Sequence, residues 1–146
     1  MTILHAGLVA LYDPAGWRGA LIEGPSGAGK SDLALRLLDL GLQAASDDQT
    51  LVWSCQERLF GACPPAICGL MEARGLGVLA LARTRRLVQV RLLAVCEPAD
   101  KAIDRLPEPE FRVVEGVRLP VLRLHALEAS APVKLRWALS HLGAEP

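Results

Sequence analysis

The segment Gly24-Pro25-Ser26-Gly27-Ala28-Gly29-Lys30-Ser31 has the residue types and spacing that hold a chain of phosphates. Its three glycines let the backbone curl so that successive amides point inward, and a helix opening at its end would add unsatisfied N–H groups facing the same anion. Lys30 can reach the β and γ phosphates as a point charge, and the Ser31 hydroxyl can ligate a Mg²⁺ that bridges them. Phosphate binding does not by itself name a reaction, so the acceptor chemistry has to come from other residues. Asp47-Asp48 is the first candidate. Adjacent carboxylates in a regular strand point to opposite faces, so both serve one site only where the strand ends or turns. One can then bind the metal while the other accepts a hydroxyl proton. An exposed acidic turn is the competing reading, and the upstream loop tips the balance against it. In Met71-Glu72-Ala73-Arg74-Gly75-Leu76-Gly77, Glu72 can supply a further metal ligand and Arg74 can hold a phosphate or a carboxylate, although a salt-bridged surface turn fits the same residues. His5, beside an apolar stretch, reads equally as a core or edge residue.

These residues need elements to place them. Residues 3–11 are apolar and partly β-branched, Asp13-Pro14-Ala15-Gly16 supplies turn chemistry, and residues 20–22 resume an apolar run, predicting two adjacent strands that lead into the glycine-rich loop. Leu33, Ala34, Leu37, Leu38 and Leu40 then recur at helical spacing, predicting a helix of about ten residues that stops at Gly41. Residues 51–53, 88–95 and 113–124 read as strands, while Cys63-Pro64-Pro65 and residues 69–77 carry the breakers of an ordered loop. Residues 97–110, with three prolines and seven charges, read as a surface connection. Ser130 is placed to cap a last helix whose apolar face comprises Val133, Leu135, Trp137, Ala138, Leu139 and Leu142.

Composition narrows the class. A chain of 146 residues with 51% hydrophobic content predicts one compact domain over residues 1–146, and a separate amino-terminal domain is not expected. Sixteen basic residues against sixteen acidic ones give no surplus charge with which to bind nucleic acid. Four cysteines without a Cys-x-x-Cys pair, and three scattered histidines, read as free thiols in a reducing compartment rather than a metal framework. No run is long enough to cross a membrane and no basic residue precedes the first apolar stretch, so the expected location is cytoplasmic, with no membrane partner.

Leu4-His5-Ala6, the segment from Gly24 through Lys30-Ser31-Asp32-Leu33-Ala34-Leu35, Ser46-Asp47-Asp48 and the Glu72-x-Arg74-Gly75-x-Gly77 segment together resemble the catalytic domain of bacterial HPr kinase/phosphorylase. The resemblance implies an α/β P-loop kinase domain like that of phosphoenolpyruvate carboxykinase, a mixed β-sheet with flanking helices. It implies ATP and Mg²⁺ as cofactors, and phosphorylation of a serine on the phosphocarrier protein HPr or a related carrier. Reversal by inorganic phosphate would give pyrophosphate, and the assembly would be a homo-oligomer, a hexamer. Carried over by resemblance, Asp47 is the catalytic acid/base, Lys30 and Ser31 contact phosphate and metal, Asp48 and Glu72 are metal-site carboxylates, and His5 lies beside the transferring phosphate. Arg74 and Gly75 belong to the segment associated with assembly and dephosphorylation. Ser130-Ala131-Pro132-Val133-Lys134-Leu135-Arg136 stands where the family carries a Pro-Gly-Arg-Asn-type basic segment, with Lys134 or Arg136 as the available charges. A P-loop kinase for a small molecule and a nucleotide-responsive regulator are the alternative readings.

Overall fold

The structure, a computed structural model, describes residues 1–143; residues 144–146, inside the expected domain span of 1–146, lie outside the described residues. In chain order the elements are β1 (Thr2–Leu4), β2 (Gly7–Asp13), β3 (Gly16–Glu23), α1 (Lys30–Asp39), β4 (Gln43–Ser46), β5 (Thr50–Cys55), β6 (Arg58–Ala62), β7 (Leu70–Ala73), β8 (Gly77–Ala80), β9 (Leu87–Cys96), β10 (Phe111–Val114), β11 (Val117–Leu124) and α2 (Ala131–His141). A short 3₁₀ turn, Pro65–Ile67, precedes β7.

Nine strands form one sheet in the order β1-β5-β6-β9-β3-β2-β4, with β11 also on β9 and β10 on β11, while β7 and β8 make a separate hairpin. The ten-residue β9 is central. Its first half pairs with β6 and its second half with β11, while β3 runs along its other edge. Val88 and Val90 face one side of the sheet, yet beyond Arg91 it is Leu93 and Val95 that face that side, and Leu92, Ala94 and Cys96 face the other. The register shift opposite Gly19 and Ala20 accounts for this: one extra residue in β9 reverses the alternation. Beyond the bulge both faces are covered, which is why residues 92–96 form an unbroken apolar run.

The two faces are buried by different means. Leu33, Ala34 and Leu37 of α1 and Leu135, Ala138 and Leu139 of α2 pack against Val9, Leu11, Ala20, Ile22 and Leu92 on one face. On the other face the buried cluster, built on Leu8, Leu21, Val52, Leu59, Leu93 and Val121, contains no helical residue. The two branches of the sheet that leave the same edge of β9 meet there instead, the Thr2 hydroxyl of β1 donating to the Glu115 carboxylate in the β10–β11 turn.

The expected P-loop kinase domain of the phosphoenolpyruvate carboxykinase type is corrected by this arrangement. The fold is a half-barrel sheet with flanking helices. Only the pairings of β9 with β3 and with β11 are parallel among the described strand pairs, and both described helices cover the same face. The glycine-rich strand–loop–helix unit is local, whereas the sheet that carries it is set by non-local pairing.

Other expectations change in detail. Residues 113–124 divide into the β10–β11 hairpin, and residues 69–77, read as loop, contain β7 and the start of β8. Cys63 and Cys68, expected as free thiols, are disulfide-bonded with Cα atoms 5.4 Å apart, while Cys55 and Cys96 are free. Ser130 is the N-cap residue of α2 but makes no side-chain cap bond. Val133, Trp137 and Leu142, expected on its apolar face, are exposed.

Candidate functional site

The glycine-rich loop leaves the carboxyl end of β3 and turns directly into α1. Gly24 has φ 155° and lies so close to β9 that a Cβ there would be 2.5 Å from the Cys96 carbonyl oxygen, so no side chain fits. Gly29 caps α1 in the left-handed conformation and brings no side chain to its first N–H groups, which remain available to an anion. The amide of Ala28 donates to the Pro25 carbonyl at 3.1 Å, closing the crest. The Lys30 ammonium donates to the carbonyls of Gly24 at 2.6 Å and Pro25 at 3.3 Å, so the charge stands against the loop with a third N–H for a ligand.

Strand pairing carries the acidic residues to the same end. Gly7 is opposite Ile22 and Ser46 opposite Leu8, so the chain before β2 and the chain after β4 both emerge beside the end of β3. β4 ends at Ser46, and the chain turns at once: the Gln49 amide donates to the Asp47 carbonyl at 2.7 Å, and Asp48 takes a left-handed φ of 67°. The end of the strand meets the condition for two adjacent carboxylates to serve one site. Asp47 accepts from the backbone N–H of Glu72 at 3.0 Å, and the Ser31 hydroxyl is near enough to favour its charged form. Asp48 lies 3.5 Å from His5 Nε2, with both side chains largely exposed.

Desolvation is the main cause of a raised Asp47 pKa; the Glu72 amide opposes it, the Asp48 and Glu72 charges add to it, and Ser31 opposes it. This carboxyl therefore takes a proton more readily than an ordinary aspartate. The donors around it, Ser31, Asp47, Asp48 and Glu72, are all hard oxygens, and no group of three or more His, Cys, Asp or Glu forms a metal cage among the described residues. Hard oxygens suit a Mg²⁺ that keeps waters and takes phosphate oxygens better than a cage built of protein ligands alone. Arg74 and Gly75 sit in the β7–β8 turn, closed by the Leu76 amide donating to the Ala73 carbonyl at 2.9 Å. No hydrogen bond or ion pair joins Arg74 to Asp47, Asp48 or Glu72 among the described residues, so the segment reaches the site through the Glu72 backbone.

One supporting network was not foreseen from the sequence. Arg123 binds Glu110 through two N–H groups at 2.7 and 2.8 Å and also donates to Glu97, whose side chain is 6% exposed and lies 3.3 Å from Lys101. Burial raises the Glu97 pKa, but the Arg123 and Lys101 hydrogen bonds outweigh it and hold the carboxyl below its ordinary range. Glu110 is also lowered, chiefly by Arg123. The only sequence signal was a lone acidic residue at the end of the apolar β9 run. Arg123→Ala is expected to cost about 2 kcal/mol, less than the ~3–5 kcal/mol of a fully buried pair because Arg123 is partly exposed and Lys101 remains. Both carboxyls have lowered folded pKa values, so the stability they contribute is present above the usual carboxylate range and lost as pH falls through their folded values. Denaturant titration from neutral to acid pH should show a smaller pH dependence in the variant.

The family model of the HPr Serine kinase C-terminal domain matches residues 1–124. The chain belongs to this family. It is 33% identical over 133 residues to the HPr kinase/phosphorylase of Enterococcus faecalis, covering 84% of this chain and 42% of the relative. It is 36% identical over 110 residues to that of Leptothrix cholodnii, covering 68% and 34%, and 40% identical over 77 residues to that of Lacticaseibacillus casei, covering 52% and 23%. The HPr Serine kinase C-terminal domain here thus spans less than half the length of these curated relatives. The solved HPr(Ser) kinase/phosphatase of Coxiella burnetii superimposes with a TM-score of 0.80 over 96% of this chain and 95% of that one, at 22% identity. That match gives the fold and overturns the phosphoenolpyruvate carboxykinase-like expectation. No described helix is long and apolar enough to cross a membrane.

Proposed function

We propose that this chain transfers the γ-phosphoryl group of ATP to a serine of the phosphocarrier protein HPr or a related carrier, and also runs the reverse phosphorolysis. The observation that supports this reading is the position of Asp47, held by the Glu72 N–H at 3.0 Å beside Ser31 in the first turn after the glycine-rich loop, with the Asp48 and Glu72 charges close by. A phosphate chain cradled by the loop amides and Lys30 would present its terminal group beside a carboxyl suited to take a proton. Ser31, Asp48 and Glu72 would hold Mg²⁺, which when bound with the nucleotide neutralises charge on the bridged phosphate oxygens.

In the forward direction the serine oxygen forms a bond to the γ-phosphorus, the bond from that phosphorus to the β–γ bridging oxygen breaks, Asp47 receives the hydroxyl proton, and ADP leaves. In reverse an oxygen of inorganic phosphate attacks the phosphoserine phosphorus. The bond to the serine oxygen breaks, Asp47 returns the proton to that oxygen, and pyrophosphate forms. His5, 3.5 Å from Asp48, would meet the transferring group.

The test uses purified chain and purified carrier in both phosphorylation states, with ADP formation and pyrophosphate release measured separately. Carrier-dependent ADP formation and phosphate-dependent pyrophosphate release are the expected results. ADP formed with a small molecule but not with the carrier would overturn the protein-kinase reading, and kinase activity without pyrophosphate would remove its reverse half. Self-assembly belongs to the same proposal: Leu76 and Val78, 74% and 67% exposed, follow Arg74 and Gly75 in the turn and the start of β8 and offer an apolar surface for another subunit. Light scattering over a concentration series should find a species larger than one chain, and a strictly monomeric active protein would refute it.

A further inference from the structure

The glycine-rich loop stands where three parallel strands finish together. Glu23 of β3 is level with Val95 of β9, and Leu124 of β11 with Cys96. Ligands of parallel sheets lie in the crevice outside such carboxyl ends. The two sides of the loop differ in chemistry. Toward β2 and β4 stand His5, Asp47 and Asp48. Toward β9 and β11 the strands run on into Pro98-Ala99 and His125-Ala126-Leu127, and a cavity of about 180 Å³ lies between these segments and loop residues 25–28.

This cavity is firmly built. Leu127 lies over the loop so closely that a Cβ on Gly29 would be 2.7 Å from its Cδ2. Arg36 of α1 donates to the carbonyls of Ala126 and, at 3.0 Å, Glu128, fixing one wall. His125 Nε2–H donates to the Lys101 carbonyl at 2.6 Å, tying that wall to the segment that carries Pro98 and Ala99. The Glu97 carboxylate at its edge is engaged by Arg123 and Lys101, so its charge is compensated. A larger cavity of about 890 Å³ lies around Lys101, Ile103, Phe111 and Leu122, but no residue of the glycine-rich loop lines it.

We infer that the cavity between the loop and the Pro98-Ala99 and His125–Leu127 segments seats the nucleoside of the phosphoryl donor. The inference rests on the kinase reading above. The donor then lies across the loop, with its sugar and base against Ala99 and Leu127, its phosphates on the loop amides and Lys30, and the acceptor serine on the Asp47 side. The cavity is smaller than the ~300 Å³ at which pockets enclose a drug-sized ligand, so it takes the ribose and the inner part of the base and leaves the rest at the surface. A ligand made of phosphate alone has no use for it.

Calorimetric titration of the full chain with Mg²⁺-ATP and with Mg²⁺ and inorganic triphosphate tests this. Ala99 is exposed, so Ala99→Trp fills the seat without entering the core. It should weaken ATP about tenfold or more and leave triphosphate within about twofold. Leu127→Ala, at a residue 65% exposed on the facing wall, should weaken ATP in the same direction and also spare triphosphate. Unchanged ATP affinity in both variants, or parallel loss of both ligands in Ala99→Trp, would overturn the nucleoside seat while leaving the kinase reading in place. If the wild-type chain bound neither ligand, the kinase reading would fall and the seat with it.

Discussion

Replacing Asp47 by Asn is expected to leave nucleotide binding intact while serine phosphorylation and phosphorolysis both fall about a hundredfold or more, the scale of a lost general acid/base. Both directions use the same proton site, so microscopic reversibility requires the losses to accompany one another. The amide keeps the approximate size of the carboxyl and an oxygen that can still accept the Glu72 N–H bond, 3.0 Å long in the native protein. Retention of both rates would show the assigned acid/base to be wrong. Asp48→Asn should instead shift the Mg²⁺ concentration needed for activity.

A pH series separates this loss from structural damage. Burial, the largest influence on Asp47, raises its pKa in the metal-free chain, and the base form required for phosphorylation is lost as pH falls through the folded value. The wild-type forward rate should fall as pH drops through that window, and the residual Asp47→Asn rate should not. Stability has the opposite sign. Because the folded pKa is raised, the native protein holds more protons than the unfolded chain there, and this group's contribution declines as pH rises through the window. Asp47→Asn removes that cost, so its melting temperature at neutral pH should be at least that of the wild type. An inactive variant with a lowered melting temperature would point to structural damage instead.

What could be read in advance follows from which features are local. Gly24 through Ser31, the ten-residue α1 and the stop at Gly41 are each encoded within a few residues, and all are present. The end of the strand at Asp47-Asp48 could be stated only as a condition, because the left-handed turn at Asp48 depends on its neighbours. The half-barrel rests on partners far apart in the chain, such as β6 on β9 and β11 on β9, and no short window contains those pairings. β6 carries no strand signal that stands out beside the Cys63-Pro64-Pro65 breakers, and the bulge at Arg91 interrupts the alternation of β9. The outward face of α2 differs from its sequence pattern because Val133 and Trp137 are apolar but solvent-exposed, and hydrophobic character does not require burial. The wall at Leu127 had no signal of its own; its role comes from contact with Gly29, nearly a hundred residues earlier.

Lys30→Ala is expected to weaken Mg²⁺-ATP and inorganic triphosphate alike, by about ten- to a hundredfold, because a hydrogen bond to a charged group contributes roughly 1.5–3 kcal/mol. This separates it from Ala99→Trp, which should affect ATP alone. Phosphoryl transfer should fall further than binding does, since the ammonium also stabilises charge on the group in flight. The fold should survive. Lys30 is only half-buried and opens α1, where Ala is an equally good helix former, and its own partners are the Gly24 and Pro25 carbonyls at the loop surface. Burial pushes the nearby Cys96 thiol up to about 11 while Lys30 draws it down, so removing the lysine leaves that thiol neutral at physiological pH and adds no new charge to the core. Calorimetric titration with both ligands, alongside circular dichroism melting, reads both effects. A folded variant with unchanged affinity for either ligand would remove the glycine-rich loop from the phosphate site.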